Sequence, residues 1–214
     1  MKTIVQDYLW FTKLPNIDNE NLYDTCCKID KKLREVLPPV SEDNIYGCFS
    51  SYHHSNYNLL TFYSHELHKL HTTIVKNVMP LVDQDVQYYI RCWVNLFEPG
   101  MNIDWHYHWP PEARAYHGFY CVNTQGNNKS YTDYRIPGQT NEIRVMSEDG
   151  LLVFGKSDDD RHRSSPWENT DKYRITIAFD IVPLESLDKL CPSYDGYTIN
   201  NFIPIMKYQD ITDK

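Results

Sequence analysis

The spacing of apolar residues predicts two helices in the first part of the chain. Residues 19–37 carry apolar side chains at intervals of three and four, with Asp18 or Asn19 as the N-cap and the Pro38-Pro39 pair as the stop. Residues 64–79 repeat the pattern, with Ser64 as cap. The apolar positions of the two predicted helices are Leu22, Cys26, Ile29 and Leu33, then Leu67, Leu70, Ile74, Val75 and Val78.

From residue 86 onward the apolar period changes from three or four to two, which is typical of strands. The predicted strands are residues 86–97, a strand beginning near Ile103, and residues 118–122, 143–146, 151–154 and 173–181. Many short strands after two helices predict a mainly β fold with N-terminal helices, built as a closed or two-sheet barrel with the helices packed outside.

Composition narrows the class of protein. Hydrophobic residues make up 41% and charged residues 23% of the 214 residues, so the chain can bury a sizeable core. The net charge of −8 disfavours duplex nucleic acid as a partner, since such domains carry a basic face. No apolar run approaches the about 20 residues that cross a membrane. The early polar residues do not resemble a signal peptide, and six cysteines without a CxxC pair suggest reduced thiols, so we expect a cytoplasmic protein.

Two histidines two residues apart form the first candidate for chemistry. His106 and His108 would project from the same face of a strand, where two imidazole nitrogens can reach one metal ion. His162 is the best third ligand, because it follows a later apolar strand that can return beside the pair. Another row, His65, His68 and His71, fits one face of the second helix better than a metal site.

An arginine on the last predicted strand is the second candidate. Arg174, Thr176 and Ala178 share one face of this strand, and Ile175, Ile177 and Phe179 share the other. An arginine inside a barrel is costly unless an anion meets it, and a carboxylate is its natural bidentate partner. Exposure to solvent, or pairing with a protein carboxylate, remains the alternative.

These features together resemble the iron(II)- and 2-oxoglutarate-dependent oxygenases, in particular a group from bacteria and bacteriophages. The resemblance rests on three segments within residues 90–182: the Trp-Val-Asn strand and Gly turn of 92–100, the His-x-His block through the His117-Gly118-Phe119-Tyr120 run, and the closing block with His162 and Arg-Ile-Thr-Ile-Ala-Phe at 174–179. It implies a double-stranded β-helix, which is a jelly roll of cupin type.

The same resemblance implies cofactors and an activity. Iron(II) would be held by His106, His108 and His162, and 2-oxoglutarate by Arg174 and Thr176, with Asn95 and Tyr120 as further candidate contacts. The enzyme would couple 2-oxoglutarate decarboxylation to hydroxylation of a small molecule or a peptide. The single domain would comprise a helical wrap (1–85), a jelly-roll core (86–182) and a C-terminal tail (183–214).

Two positions depart from the family pattern, and one alternative family remains open. Position 108 is His where most of the superfamily has Asp or Glu, so a carboxylate such as Asp104 or Glu112 could replace it as the third ligand. His117 stands where a Ser is usual, and we expect it in the pocket wall. The His-x-His block also resembles a cupin motif, which leaves open a metal enzyme without 2-oxoglutarate or a non-catalytic binding module.

Overall fold

The computed structural model of the chain describes residues 3–5, 8–36, 47–54, 57–125, 129–168, 171–190 and 201–205. Its helices are α1 (Asn19–Val36), α2 (His65–Val78) and α3 (Leu184–Leu190). The two predicted helices are confirmed, and their caps are too: Asp18 Oδ1 accepts from the Asn21 N–H, and Ser64 Oγ accepts from the Leu67 N–H. The predicted stop at Pro38-Pro39 lies outside the described residues.

Most of the remaining chain forms antiparallel strands. They are β1 (Thr3–Val5), β2 (Leu9–Lys13), β3 (Phe49–Ser50), β4 (Tyr88–Phe97), β5 (Ala115–Asn123), β6 (Tyr131–Arg135), β7 (Ile143–Met146), β8 (Leu151–Ser157), β9 (Arg161–Ser164), β10 (Arg174–Pro183) and β11 (Ile203–Pro204). The large sheet has the order β1-β2-β8-β5-β10-β4-β11, with β3 on β4, and the small sheet has the order β7-β6-β9. The predicted fold class, mainly β with N-terminal helices, is confirmed.

Strand β10 lies in the interior of the large sheet, where it pairs with β4 on one side and β5 on the other. Its residues alternate as predicted. Ile175, Ile177 and Phe179 pack in the main core between the large sheet and helices α1 and α2. Arg174, Thr176 and Ala178 point to the opposite face and line a pocket.

The structure differs from the sequence-based expectation in three places. Residues 101–108 form no ladder strand; they are held instead by an isolated bridge between His106 and His162. Strands β6 and β9 were not expected, because short polar segments such as Arg161–Ser164 lack an apolar alternation. The segment expected as a helical wrap also contains strands, of which β2 extends the large sheet by pairing with β8.

Within the described part of the chain, no helix is both long and apolar enough to cross a membrane.

Candidate active site

Three histidines from two separate segments converge at the mouth between the sheets. His106 and His108 lie on the irregular segment before β5, and His162 lies on β9. One ring nitrogen from each of the three lies within 4.8 Å of the others. All three side chains line the same pocket, which encloses about 830 Å³ including its open side. The structure thus brings together the three residues that the sequence pattern indicates as metal ligands.

A backbone clamp fixes the spacing of this cluster. The His106 N–H donates to the His162 carbonyl at 3.1 Å, and the His162 N–H donates to the His106 carbonyl at 3.0 Å. Next to it, the Ile103 N–H donates to Ser164 Oγ. These bonds hold the otherwise irregular His-x-His segment against β9.

Oxygen atoms lie near the Nδ1 atoms of all three rings, which leaves their Nε2 atoms for a metal. His106 Nδ1 is 2.8 Å from the Asp104 carbonyl, and His108 Nδ1 is 2.5 Å from Asp180 Oδ1. His162 Nδ1 is 3.7 Å from Asp160 Oδ2, which is near but beyond hydrogen-bond distance. Carbonyl and carboxylate oxygens only accept, so they favour the tautomer with the proton on Nδ1. Ligating histidines in metalloproteins are oriented in this way.

A fourth histidine, His117, completes the cluster from β5. Its ring stacks on His162 with centroids 4.7 Å apart, and its Nε2 lies 3.0 Å from Asp160 Oδ2. His117, Asp160 and His162 form a second, fully buried set of possible ligands that shares His162 with the first. Because Asp160 already binds His117, we interpret these two residues as support for His162. The expectation that His117 sits in the pocket wall agrees with its position.

The electrostatics separate two rings of lowered pKa from one ring of raised pKa. Burial lowers the pKa of His106 to about 4, and the neighbouring His108 adds to this effect. Burial also holds the pKa of His162 well below its usual range. For His117, burial is opposed by the Asp160 carboxylate, and the net effect raises its pKa. His106 and His162 are therefore neutral near pH 7, as metal ligands must be.

Arg174 lies in the same pocket, and its charge meets no carboxylate in the described part of the chain. The side chain is 1% exposed. It donates to the Ser165 carbonyl and to Ser147 Oγ, each at 3.3 Å, and its guanidinium lies 5.0 Å from the centroid of the Phe97 ring. Among the described residues no carboxylate lies within ion-pair distance of it, and Nε has no hydrogen-bond partner. A buried arginine of this kind fits an anionic ligand.

Two further predicted residues lie beside Arg174, and a third does not. Thr176 faces Asn95 across the β10–β4 pair, and both line the pocket. Asn95 Oδ1 accepts from Ser50 Oγ at 2.6 Å. Tyr120 is in the main core on the other face of the sheet, where its hydroxyl donates to Asn19 Oδ1. The expectation that Tyr120 contacts 2-oxoglutarate is therefore corrected by its position. Phe119 lines the pocket, and the next residue along a strand, Tyr120, points to the opposite face of the sheet.

The alternative ligand carboxylates lie outside the cluster. Asp104 and Glu112 are exposed, and the Asp104 side chain caps the Trp105 N–H. Neither belongs to a potential metal-binding group within the described ranges, and the same holds for His65, His68 and His71. The two carboxylates that do reach the cluster, Asp160 and Asp180, were not identified from the sequence. Asp180 could have been, since it lies two and four residues beyond Ala178 and Thr176 on the pocket face.

Comparison with known proteins gives a clear result only at the level of structure. No protein-family model matches the sequence, and no curated protein matches it either. The solved structures that resemble it include the non-haem α-ketoglutarate-dependent carbocyclase SnoK from nogalamycin biosynthesis (TM-score 0.62, 11% identity, covering 94% of this chain and 93% of that one).

Prolyl hydroxylases are also among the similar structures. One is from Trichoplax adhaerens, in complex with a hypoxia-inducible factor peptide fragment (TM-score 0.60, 14% identity, 84% and 86% coverage). Another is the viral collagen prolyl hydroxylase of Paramecium bursaria Chlorella virus 1, in complex with 2-oxoglutarate (TM-score 0.55, 13% identity, 82% and 96% coverage). This chain has the jelly-roll fold of the 2-oxoglutarate-dependent oxygenases. The fold predicted from the His-x-His and Arg-x-Thr motifs is confirmed.

Proposed function

We propose that the protein is a non-haem iron(II) oxygenase that couples 2-oxoglutarate decarboxylation to hydroxylation of a small molecule or a peptide. The observation that carries this proposal is the combination, in one pocket, of three convergent histidines with a buried arginine that has no carboxylate partner among the described residues. Three histidines alone could serve any metal enzyme, and a buried arginine alone could bind any anion. Together they supply a metal site and an anion site on one oxygenase fold.

His106, His108 and His162 would hold the iron. The donor set is suitable, since imidazole binds iron and the low pKa values of His106 and His162 keep their rings neutral. When bound, iron and 2-oxoglutarate would activate dioxygen, which is the oxidant, for attack on a C–H bond. The protein contributes the positions of the groups and a pocket that restricts water.

Arg174 would bind the distal carboxylate of 2-oxoglutarate, and the Thr176 hydroxyl would add a hydrogen bond. A guanidinium presents paired N–H donors that match a carboxylate, and burial strengthens that pairing. Asn95, opposite Thr176, is a further candidate contact. Aromatic side chains such as Trp93, Phe97 and Phe119 form much of the remaining wall.

The domain division and the compartment also belong to this proposal. We infer one oxygenase domain over residues 1–214, acting in a reducing compartment such as the cytoplasm. The second inference is supported by Cys26, Cys27, Cys48, Cys92 and Cys121, all of which are free thiols.

Turnover of the co-substrate tests the proposed activity. The purified protein should convert 2-oxoglutarate to succinate only with both iron(II) and oxygen, and a library of metabolites and peptides should contain compounds that accelerate the conversion. His106→Ala should abolish the conversion, whereas the exposed helix variant His68→Ala should leave it unchanged. A protein that binds metal but never consumes 2-oxoglutarate would favour a cupin-type enzyme or a binding module.

A further inference from the structure

The proposed metal site has no carboxylate among its three ligands, which changes its charge. A 2-His-1-carboxylate site places one negative charge directly on the metal, whereas three neutral imidazoles place none. A buried divalent cation without compensating charge is costly. If the proposed iron site is correct, a negative charge that replaces that of a ligand carboxylate must lie elsewhere near the metal.

Asp180 is the carboxylate in direct contact with the ligand at the unusual position. Its Oδ1 is 2.5 Å from His108 Nδ1, and the side chain is 0% exposed. Its other oxygen, Oδ2, has no hydrogen-bond partner among the described residues. We propose that Asp180 supplies to the metal, through the His108 ring, the negative charge that a ligand carboxylate supplies in a 2-His-1-carboxylate site.

The other charged groups around Asp180 are already engaged elsewhere. Arg91 faces Asp180 across the β10–β4 pair, but its guanidinium lies 4.7 Å from the centroid of the Tyr52 ring and donates to the Tyr52 carbonyl. His117 faces Asp180 across the β10–β5 pair, but it binds Asp160 at 3.0 Å. The contact between His108 Nδ1 and Asp180 Oδ1 is the one that links this carboxylate directly to a proposed metal ligand.

Asp160 is the rival for this role, and its contacts argue against it. It lies 3.7 Å from His162 Nδ1 but 3.0 Å from His117 Nε2. Asp160 is therefore shared between two rings and lies closer to the ring that is not a proposed ligand, whereas Asp180 Oδ1 contacts the proposed ligand His108 directly.

Replacing Asp180 with asparagine separates the charge from the hydrogen bond. The amide oxygen of the asparagine would still accept from His108 Nδ1, so the ring keeps its orientation while the charge is lost. Anaerobic iron(II) titration of metal-free protein against a chelating dye should give a dissociation constant about 10- to 100-fold weaker for Asp180→Asn, the usual loss for an outer carboxylate. Asp180→Ser provides a second variant in case the Asp180→Asn protein does not fold.

Asp133→Asn is the matched control, because Asp133 is equally buried but pairs with Arg144 and Arg163 outside the pocket. It should lower the melting temperature of the metal-free protein without changing iron affinity. Wild-type affinity in whichever Asp180 variant folds would overturn the proposal.

A double variant tests whether the deficit is one of charge. His108→Asp with Asp180→Asn moves the carboxylate onto the metal, so its iron affinity should return to within a few-fold of wild type. A double variant that folds but binds iron as weakly as Asp180→Asn would mean that the deficit is not one of charge, and would overturn the proposal. Failure of the iron site itself appears differently: wild type would then not bind iron, or His106→Ala would bind it equally well.

Discussion

His106 and His162 face each other as a closed backbone pair, each donating its N–H to the carbonyl of the other at 3.1 and 3.0 Å. Their imidazole centroids are 4.2 Å apart. Two residues distant in sequence are thereby held at a fixed separation before any metal binds. The proposed metal site is preorganised by main-chain bonds that do not depend on side-chain identity.

This arrangement predicts that single ligand variants lose metal but keep the fold. His106→Ala and His162→Ala should each abolish stoichiometric iron(II) binding, because two remaining ligands hold a first-row metal poorly. Metal analysis after anaerobic loading and desalting measures the effect, with circular dichroism as the test of folding. Full occupancy in His162→Ala would exclude this site.

The unusual ligand His108 needs its own comparison. His108→Ala should lose iron, whereas Asp104→Ala should retain it, because the Asp104 side chain is exposed and caps Trp105. The reverse result would make Asp104 the third ligand.

Acid should destabilise the metal-free protein through His106. The pKa of His106 is about 4 in the folded protein and 6.5 ordinarily. Between these values the unfolded chain binds a proton that the folded protein does not, so stability falls as pH drops from about 6.5 towards 4. His162 acts in the same direction. Between pH 7 and pH 5, the melting temperature should therefore fall less for His106→Asn than for wild type, and an equal fall in both would contradict the assignment.

His117 should show the opposite dependence, because its pKa is raised in the folded protein. Its contribution to stability is present below pH 6.5 and is lost as pH rises through the raised value. His117→Asn should therefore cost more stability at pH 5 than at pH 9, measured by thermal unfolding of the metal-free protein. A cost independent of pH would mean that His117 is neutral in the fold.

The thiols should react in an order set by burial. Cys27 is partly exposed, whereas burial raises the pKa of Cys48 to about 12 and that of Cys121 to about 11. Among the five thiols that the structure describes, a disulfide reagent should thus label Cys27 first, and Cys27→Ser should remove its share of the fast labelling. After denaturation, protein purified anaerobically without reductant should show close to all six thiols. A count near zero would indicate disulfides and an oxidising compartment.

The sequence predicted those features that depend on local periodicity. The spacing of Leu22, Cys26, Ile29 and Leu33 was sufficient for α1, and alternation along residues 174–179 identified both faces of β10. The same alternation placed Arg174 and Thr176 on the pocket side. The spacing of His106 and His108, with His162 after a later apolar strand, then selected these three histidines from the many potential metal ligands of the chain.

Features that depend on long-range contacts could not be predicted in this way. Asp160 follows Asp158 and Asp159 in what looks like a surface loop, and only the pairing of β9 with β6 buries it beside His162. The His-x-His segment lacks a partner strand along its length, so alternation could not show that a single bridge holds it. The alternation of residues along β5, in contrast, is visible in the sequence, and it places Tyr120 on the face opposite to the pocket residues.

Binding of 2-oxoglutarate through Arg174 is tested most directly by the dissociation constant of 2-oxoglutarate from the iron-loaded protein under anaerobic conditions. Arg174→Ala leaves the distal carboxylate unpaired, a loss of about 2–5 kcal/mol by analogy with buried charge pairs. This corresponds to roughly thirtyfold to several-thousandfold weaker binding. Lysine should restore only part of the affinity because it lacks the paired donors.

Arg161→Ala, which removes an exposed arginine next to His162 on β9, is the matched control and should leave the constant unchanged. Iron affinity should survive in both variants, since neither residue is a proposed ligand. Wild type should show a visible charge-transfer band that saturates with 2-oxoglutarate. The dissociation constant from the same titration of Arg174→Ala should be at least about thirtyfold weaker. An unchanged dissociation constant in Arg174→Ala, or no band in wild type, would contradict 2-oxoglutarate binding through Arg174.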